Sequence, residues 1–277
     1  MAIPLKTVQE ALAGKYQIDI EIGRGAMATV FRGRDEQGRD IALKVLRPEF
    51  AVTIIGDRFH REIAILSHLG HPNILPIYES GEASRLVYFT MPYASGGTIR
   101  TRIDALNGGL TLEETARIVT EIAAGLDHAH AAGVVHRDIK PENIVFDQGS
   151  AVICDFGIAR AVLSAGGERI STSGLVVGTP AYMSPEQASG LPEIDNRADI
   201  YGLGCVVYEM FVGEPPFTGR SMQAIMSKQV KEPPPSLRVV RPDLPEQVEA
   251  AINTALAKAP EDRFPNGAEF AAALLRS

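Results

Sequence analysis

Residues 136–143 read His136-Arg137-Asp138-Ile139-Lys140-Pro141-Glu142-Asn143, and Asp155-Phe156-Gly157 follows shortly after them. The stretch places a carboxylate, an ammonium and an amide close together in sequence, with a second carboxylate downstream. Transfer of a phosphoryl group needs a base that orients the attacking hydroxyl, cations that face the phosphate and oxygen ligands for Mg²⁺. Asp138, Lys140, Asn143 and Asp155 offer these groups, so the pattern favours phosphoryl transfer over a purely structural role.

The regions on either side of this stretch have different periodicities. Residues 18–22 alternate apolar and charged side chains, which is typical of a half-buried strand. Further strands are predicted at 28–31, 41–46 and 85–91, with one amphipathic helix at 57–69. One helix on a small antiparallel sheet indicates an α+β lobe. From about residue 95 the period is helical, and helices are predicted around 118–129 and at 197–212, 245–258 and 267–276. The proline-rich residues 233–245 are predicted to form a loop.

A glycine-rich turn, residues 23–28, lies between two of the predicted strands. A dinucleotide-binding turn opens a helix, whereas the residues after this one prefer a strand. The motif therefore favours a hairpin whose backbone N–H groups can approach phosphates, with an ordinary hairpin turn as the alternative. Lys44 lies in an apolar strand and needs an acidic partner, for which Glu62 is the natural candidate. The alternative is a lysine whose ammonium reaches the surface.

Three segments together point to a family: VVHRDIKPENI at 134–144, DFGIAR at 155–160 and GTPAYMSPEQA at 178–188. Through them the chain resembles the eukaryotic-like (Hanks-type) serine/threonine protein kinases, most closely their bacterial branch, over about residues 16–272. The resemblance implies a bilobal α+β protein kinase fold, with a small antiparallel-sheet N-lobe that carries one helix and a larger, mostly helical C-lobe. It also implies an N-terminal extension at 1–15, an N-lobe at 16–91, a hinge at 92–97 and a C-lobe at 98–277.

The resemblance implies a site for ATP made of Gly23, Gly25, Ala28, Val30, Ala42, Lys44, Met91, Pro92, Ala94, Thr98 and Val145. In this family Met91 would be the gatekeeper, and the Pro92 carbonyl and the Ala94 N–H would bond the adenine edge. Ala28 stands where the family usually has a third glycine. Thr98 stands where many members have a carboxylate for the ribose, which puts ribose recognition in doubt.

The same resemblance implies the catalytic roles. Asp138 would accept the proton of the substrate hydroxyl, and Lys140 would contact the γ-phosphate and marks the serine/threonine class. Lys44, steered by Glu62, would hold the α- and β-phosphates, and Thr179 would brace the base. Asn143 and Asp155 would bind Mg²⁺ or Mn²⁺. Two structural roles are also implied, in which Asp199 anchors the catalytic loop and Arg263 pairs with Glu186.

The resemblance also predicts that phosphorylation regulates the kinase. In this family, Arg137 marks kinases whose activation loop is ordered by phosphorylation. The predicted acceptors are Ser171, Thr172 and Ser173, and Arg160 and Arg58 are further candidate cations for the phosphate. Because the family commonly autophosphorylates, phosphate is expected in this loop. Relatives pair through their small lobes, so the resemblance allows a weak homodimer.

The charge of the chain limits its partners. Lys and Arg number 27 and Asp and Glu 34, a net charge of −7, which argues against a protein that coats nucleic acid. Residues 1–91 are neutral overall, so the acidic excess lies in the larger lobe and predicts a preference for basic peptides. Cys154 and Cys205 cannot build a disulfide scaffold, and each is expected to be a buried thiol.

No stretch of sequence reads as an export signal or a membrane segment. We therefore expect a cytoplasmic protein, or the cytoplasmic domain of a membrane receptor kinase if the parent chain continues past Ser277. An active protein kinase has two alternatives, a pseudokinase scaffold and a small-molecule phosphotransferase. A pseudokinase scaffold would usually lack the lysine, base or metal ligand that Lys44, Asp138 and Asp155 provide. A small-molecule phosphotransferase would generally lack the segment at 178–188.

Overall fold

The computed structural model describes residues 3–25, 27–48, 63, 66–106, 109–156 and 180–275. The chain forms two compact units, the first from the described parts of 1–70 and 75–95 and the second from those of 71–74, 96–156 and 177–277. Within these described ranges, no helix is both long enough and apolar enough to cross a membrane. The helix predicted at 57–69 lies largely outside them.

The first unit is built on a five-stranded antiparallel sheet with the strand order β1-β2-β3-β5-β4. Its strands are β1 (Tyr16–Arg24), β2 (Ala28–Asp35), β3 (Asp40–Leu46), β4 (Glu79–Ala83) and β5 (Leu86–Pro92). A helix that was not predicted, α1 (Leu5–Ala11), covers one face of the sheet through Val8. Residues predicted as an extension therefore contribute to the core of this unit, and the predicted antiparallel sheet is confirmed.

The predicted alternation of β1 fails after Ile18. Ile20 and Ile22 are 55% and 43% exposed, whereas Ile18 is buried. The pairing of β1 with β2 shifts register between Ile18 and Ile20 and again between Glu21 and Gly23. Because one extra residue in a strand reverses the faces of the residues that follow, the first bulge turns Ile20 away from the core. Ile22 lies within the second bulge.

Gly33 accommodates the first of these bulges. A Cβ at Gly33 would lie 2.4 Å from the Gln17 carbonyl oxygen and 2.9 Å from the Ile18 Cδ1 atom. Overpacking of this kind costs about 1–3 kcal/mol. We therefore expect Gly33→Ala to lower the thermal unfolding temperature by several degrees. Gly70→Ala, which would place its Cβ in open space, should leave that temperature unchanged, and equal effects of the two substitutions would contradict this explanation.

The second unit is mostly helical. It contains α2 (Ile99–Ala105), α3 (Leu112–Ala131), α4 (Pro185–Ala188), α5 (Arg197–Val212), α6 (Met222–Lys231), α7 (Leu237–Val240), α8 (Glu246–Ala255) and α9 (Gly267–Leu275). A two-stranded sheet joins β6 (Ile144–Asp147) to β7 (Ser150–Ile153). The predicted helices at 118–129, 197–212, 245–258 and 267–276 are confirmed within a few residues. The predicted loop at 233–245 contains the short helix α7.

Helix α5 is the central element of the second unit, because residues 198–211 are all buried. A helix buried on all sides packs against several neighbours at once, and its buried residues include the carboxylates of Asp199 and Glu209. At Gly202 a Cβ would lie 3.2 Å from the Cβ of Ile139, so the helix approaches the segment that contains Asp138 closely. This helix therefore provides a rigid reference for the residues that the sequence predicts to be catalytic.

Candidate active site

The segment around Asp138 is anchored to α5 by Asp199. The Asp199 carboxylate accepts the backbone N–H of His136 at 2.8 Å and that of Arg137 at 2.7 Å. Its Oδ2 atom also lies 2.8 Å from the His130 Nε2 atom. Because this carboxylate is buried, its hydrogen bonds hold the loop strongly. The predicted anchoring role of Asp199 is confirmed.

His136 connects this loop to the segment that leads to Asp155. Its Nδ1 atom accepts the Asp138 N–H at 3.2 Å, so Nε2 carries the proton and donates to the Cys154 carbonyl at 2.9 Å. The Cys154 N–H in turn donates to the Asn143 carbonyl at 2.9 Å. The loop with Asp138 and the strand before Asp155 are therefore joined directly by hydrogen bonds. Cys154 itself is buried, as predicted.

Asp138, Lys140 and Asn143 meet at their side chains. The Lys140 ammonium lies 2.5 Å from the Asp138 Oδ2 atom, and the Asn143 Nδ2 atom donates to the same oxygen at 3.1 Å and to the Asp138 carbonyl at 2.8 Å. Because the Asn143 amide donates through its nitrogen, its oxygen remains the atom suited to a metal. The structure thus brings two of the predicted catalytic residues, Asp138 and Lys140, together with the predicted metal ligand Asn143.

Two backbone conformations mark the same region. Arg137 and Asp155 have φ values of 67° and 66°, in the left-handed region that residues other than glycine seldom adopt. Strained conformations of this kind persist where the surrounding structure enforces them, and they cluster at functional sites. Of these two residues, Arg137 directly precedes Asp138, the candidate base, and Asp155 is itself a candidate metal ligand.

The donor set for a metal is small. In the described part of the chain no three histidine, cysteine or acidic residues come together as a metal cluster. Mg²⁺ is usually held by one or two protein oxygens and by the phosphates of a nucleotide, with water completing the shell. The carboxylate of Asp155 and the amide oxygen of Asn143 fit that pattern. Both residues would hold a metal only together with a bound nucleotide.

The first unit presents the other predicted nucleotide-binding residues on one face of its sheet. Val30 pairs with Lys44 across β2 and β3, and Ala42 pairs with Met91 across β3 and β5. Residues paired in this way point to the same side, as do residues two apart along a strand. The Lys44 ammonium lies 5.9 Å from the centre of the Phe89 ring. Pro92 and Ala94 continue the chain directly from this face.

The glycine-rich turn is a hairpin, as the sequence favoured. The N–H of Gly25 donates to the Ala28 carbonyl at 2.9 Å, and β1 and β2 pair in antiparallel fashion up to the turn, with Gly23 opposite Val30. A strand, rather than a helix, follows the turn. The structure therefore excludes the dinucleotide-binding arrangement for this motif.

Thr98 and Val145 are brought together in the second unit, where they form an isolated antiparallel bridge. The Thr98 hydroxyl accepts the Thr101 N–H at 3.1 Å and so caps the N-terminus of α2. Threonine is among the residues preferred at such an N-cap. A contact of Thr98 with ribose stays a prediction.

In the segment at 178–188, the structure describes residues 180–188. Residues 180–186 are named the platform. Tyr182 in this platform donates its hydroxyl to Glu209 at 2.6 Å, and Arg100 donates to both groups at 2.7 Å and to Glu142 at 3.0 Å. Burial raises the pKa of Glu209, and the hydrogen bonds from Arg100 and Tyr182 oppose that rise. Arg100 therefore supplies one positive charge to two carboxylates, those of Glu142 and buried Glu209. The preference for basic peptides stays a prediction.

The platform ends in a buried ion pair. The Arg263 guanidinium donates to both Glu186 oxygens at 2.7 Å, so the predicted pair is confirmed. The remaining predicted residues, Glu62, Thr179, Arg58, Arg160, Ser171, Thr172 and Ser173, lie outside the described residues.

The comparisons with known proteins agree with this geometry. The family model "Protein kinase domain" matches residues 16–272. The chain belongs to the protein kinase domain family. A probable serine/threonine-protein kinase PknB of Bifidobacterium longum is 41% identical over 94% of this chain and 39% of its own length. Serine/threonine-protein kinase PknB of Mycobacterium tuberculosis is 38% identical over 98% of this chain and 44% of its own.

The solved structures support the same fold. The crystal structure of the Mycobacterium tuberculosis PknI kinase domain has a TM-score of 0.74 and 30% identity, and the match covers 99% of both chains. The predicted α+β protein kinase fold is therefore confirmed. The chain spans only about two fifths of the length of the curated relatives. Sequence analysis did not predict the contacts of Arg100 and Gln229 in the second unit, because their partners are distant in sequence.

Proposed function

We propose that this protein kinase domain transfers the γ-phosphate of ATP to serine and threonine hydroxyls of protein substrates, with Mg²⁺ or Mn²⁺ as cofactor. The observation that carries the proposal is the side-chain cluster of Asp138, Lys140 and Asn143 on a loop anchored by Asp199. The names of the curated relatives support the serine/threonine class.

In this mechanism Asp138 accepts the proton of the substrate hydroxyl as the hydroxyl oxygen bonds to the γ-phosphorus. The bond from that phosphorus to the β–γ bridging oxygen breaks, and ADP leaves with the bonding electrons. Lys140, next to Asp138, faces the developing charge of the transferred group. Bound Mg²⁺ would neutralise phosphate charge, held by Asn143 and Asp155. Lys44 would hold the α- and β-phosphates.

A direct assay tests this function. Protein incubated with radiolabelled ATP and MgCl₂ should transfer label to a generic basic protein substrate, with label on serine and threonine after acid hydrolysis. Binding of a fluorescent ATP analogue is measured in parallel. Normal nucleotide binding without any transfer to protein would reject the proposal and favour a nucleotide-binding scaffold. Transfer to an aminoglycoside but not to protein would reject it in favour of a small-molecule phosphotransferase.

We also propose that the kinase phosphorylates its own activation loop at Ser171, Thr172 or Ser173. Arg137 supports this, because in this family it marks kinases whose activation loop is ordered by phosphorylation, and its backbone N–H is held by Asp199 at 2.7 Å. Mass spectrometry after incubation with MgATP should find phosphate on residues 160–182. An unmodified 160–182 peptide in active enzyme would contradict the proposal. The cytoplasmic location and the weak homodimer stay predictions.

A further inference from the structure

Gln229 holds the start of the platform through its side-chain amide. Its Nε2 atom donates to the Pro180 carbonyl at 3.0 Å and to the Ala181 carbonyl at 2.7 Å, while its Oε1 atom accepts the Tyr201 hydroxyl at 2.6 Å. Carbonyl oxygens only accept, so the nitrogen must face the platform and the amide has one allowed orientation. These three hydrogen bonds fix the orientation of the amide.

The helix that carries Gln229 makes this arrangement unusual. Of the ten residues of α6, all of which the structure describes, Gln229 is the one that is buried, and its exposed fraction is 0%. A helix normally buries apolar side chains, whose packing is not directional. Here the buried side chain is an amide, whose hydrogen bonds specify position rather than supply apolar burial. The hydrogen bonds of Gln229 therefore fix the position of α6 relative to the platform.

Tyr201, a residue of α5, connects Gln229 to that helix. Its ring is fully buried, with the Arg263 guanidinium 4.9 Å and the Lys258 ammonium 5.4 Å from its centre. The Lys258 ammonium also donates to the Tyr201 hydroxyl at 3.1 Å, which leaves the hydroxyl proton directed to Gln229. Tyr201 lies two residues after Asp199, the anchor of the catalytic loop. The platform and the catalytic loop are therefore both fixed to one turn of the same helix.

We propose that Gln229 is a positioning residue for the peptide substrate, an inference that rests on the proposed kinase function. By holding the Pro180 and Ala181 carbonyls relative to α5, it sets where a peptide on the platform presents its hydroxyl to Asp138. Small displacements of a reacting group lower rates steeply. Loss of the amide should therefore impair the use of peptide substrates and spare the use of ATP.

Steady-state kinetics of Gln229→Met and Gln229→Glu test the proposal. Methionine has a similar volume and no donor, and glutamate keeps the acceptor for Tyr201 but places an oxygen against two carbonyls. Both should lower kcat/KM for a peptide about tenfold or more, with the glutamate variant at least as impaired. KM for ATP and the rate of ATP hydrolysis without peptide should stay within about twofold of the wild-type values.

Two further variants separate positioning from folding. Asp127→Asn weakens the cap of α9, where Asp127 accepts the N–H groups of Gly267 and Ala268, and does not touch the platform. It should lower the unfolding temperature without changing peptide kinetics. Tyr201→Phe keeps both bonds from Gln229 to the platform, so its defect with peptides should be smaller but measurable, again without an effect on KM for ATP.

These experiments distinguish failure of the positioning role from failure of the proposed kinase function. If the wild-type protein transfers no phosphate to peptides, the kinase function itself fails. If it does, and folded Gln229→Met uses peptides like the wild type, the positioning role is overturned. The role is also overturned if Asp127→Asn shows the same peptide defect. Should neither Gln229 variant fold, unchanged peptide kinetics in Tyr201→Phe overturns the proposal, and a selective peptide defect supports it.

Discussion

Asp138→Asn lowers the rate of phosphate transfer to protein by about 10²–10⁴-fold, the contribution expected of a positioned general base. An asparagine has almost the same shape, so it can still lie beside Lys140 and Asn143. It cannot take up the proton of the substrate hydroxyl, because its amide carries no basic oxygen at neutral pH. The Lys140 ammonium also loses the carboxylate that lies 2.5 Å away. The loss should therefore appear in kcat rather than in nucleotide affinity.

Single-turnover measurements with radiolabelled ATP and a saturating peptide check this, with binding of a fluorescent ATP analogue measured in parallel. Asp147→Asn is the matched control, since it makes the same change at the end of β6, away from the catalytic loop. It should transfer phosphate at the wild-type rate. If Asp138→Asn retained transfer within a factor of about ten of the wild type, below the lower range for a general base, another group would have to act as the base.

The motif residues were predictable from sequence because their chemistry is local. Asp138, Lys140 and Asn143 lie within one loop, and their side chains meet there as the spacing suggested. The pair of Glu186 with Arg263 joins residues 77 apart, and it was predictable only through the family resemblance. Periodicity predicted α3 for a similar reason, since this helix buries a continuous apolar stripe, whereas α5 is buried on all sides and was predicted as an apolar run.

What sequence did not predict depends on contacts that no local pattern encodes. The bulges of β1 reverse the exposure of Ile20 and Ile22, although the residues alternate as in a regular strand. Helices α2 and α6 could have been recognised from their capping residues Thr98 and Ser221. The contacts of Arg100 and Gln229 could not, because Arg100 meets Glu209 across 109 positions and Gln229 meets Pro180 across 49.

Arg263→Met should be the most destabilising single substitution proposed for this chain. The guanidinium is fully buried, and its five N–H groups reach two Glu186 oxygens and the carbonyls of Ala257, Arg197 and Lys258. Methionine fills much of the volume but leaves a buried carboxylate and three carbonyls without these donors. Removing one partner of a buried ion pair costs about 3–5 kcal/mol.

Thermal unfolding measures this loss, which for a chain of this size corresponds to a decrease of about 10 °C. Lys6→Ala removes one partner of an exposed pair with Glu10 and should leave the unfolding temperature unchanged. Arg263→Lys should remain strongly destabilised, because an ammonium cannot satisfy five acceptors in fixed directions. A shift of only one or two degrees in Arg263→Met would show that the pair contributes little to stability.

The pH dependence of this effect follows from Glu186. Burial alone raises the pKa of its carboxyl group, but the hydrogen bonds and charge of Arg263 outweigh burial, and the net pKa is lowered. A carboxyl group whose pKa is lower in the folded state than in the unfolded state stabilises the fold fully above the unfolded value, here the ordinary 4.5. That stabilisation is lost as the pH falls through the folded-state pKa.

The difference in unfolding temperature between the wild type and Glu186→Gln should therefore be constant from pH 8 to pH 6 and shrink below about pH 4.5. A difference that grew on acidification would mean that the buried carboxyl group takes up its proton more readily in the folded protein than in the unfolded chain, contrary to its pairing with Arg263.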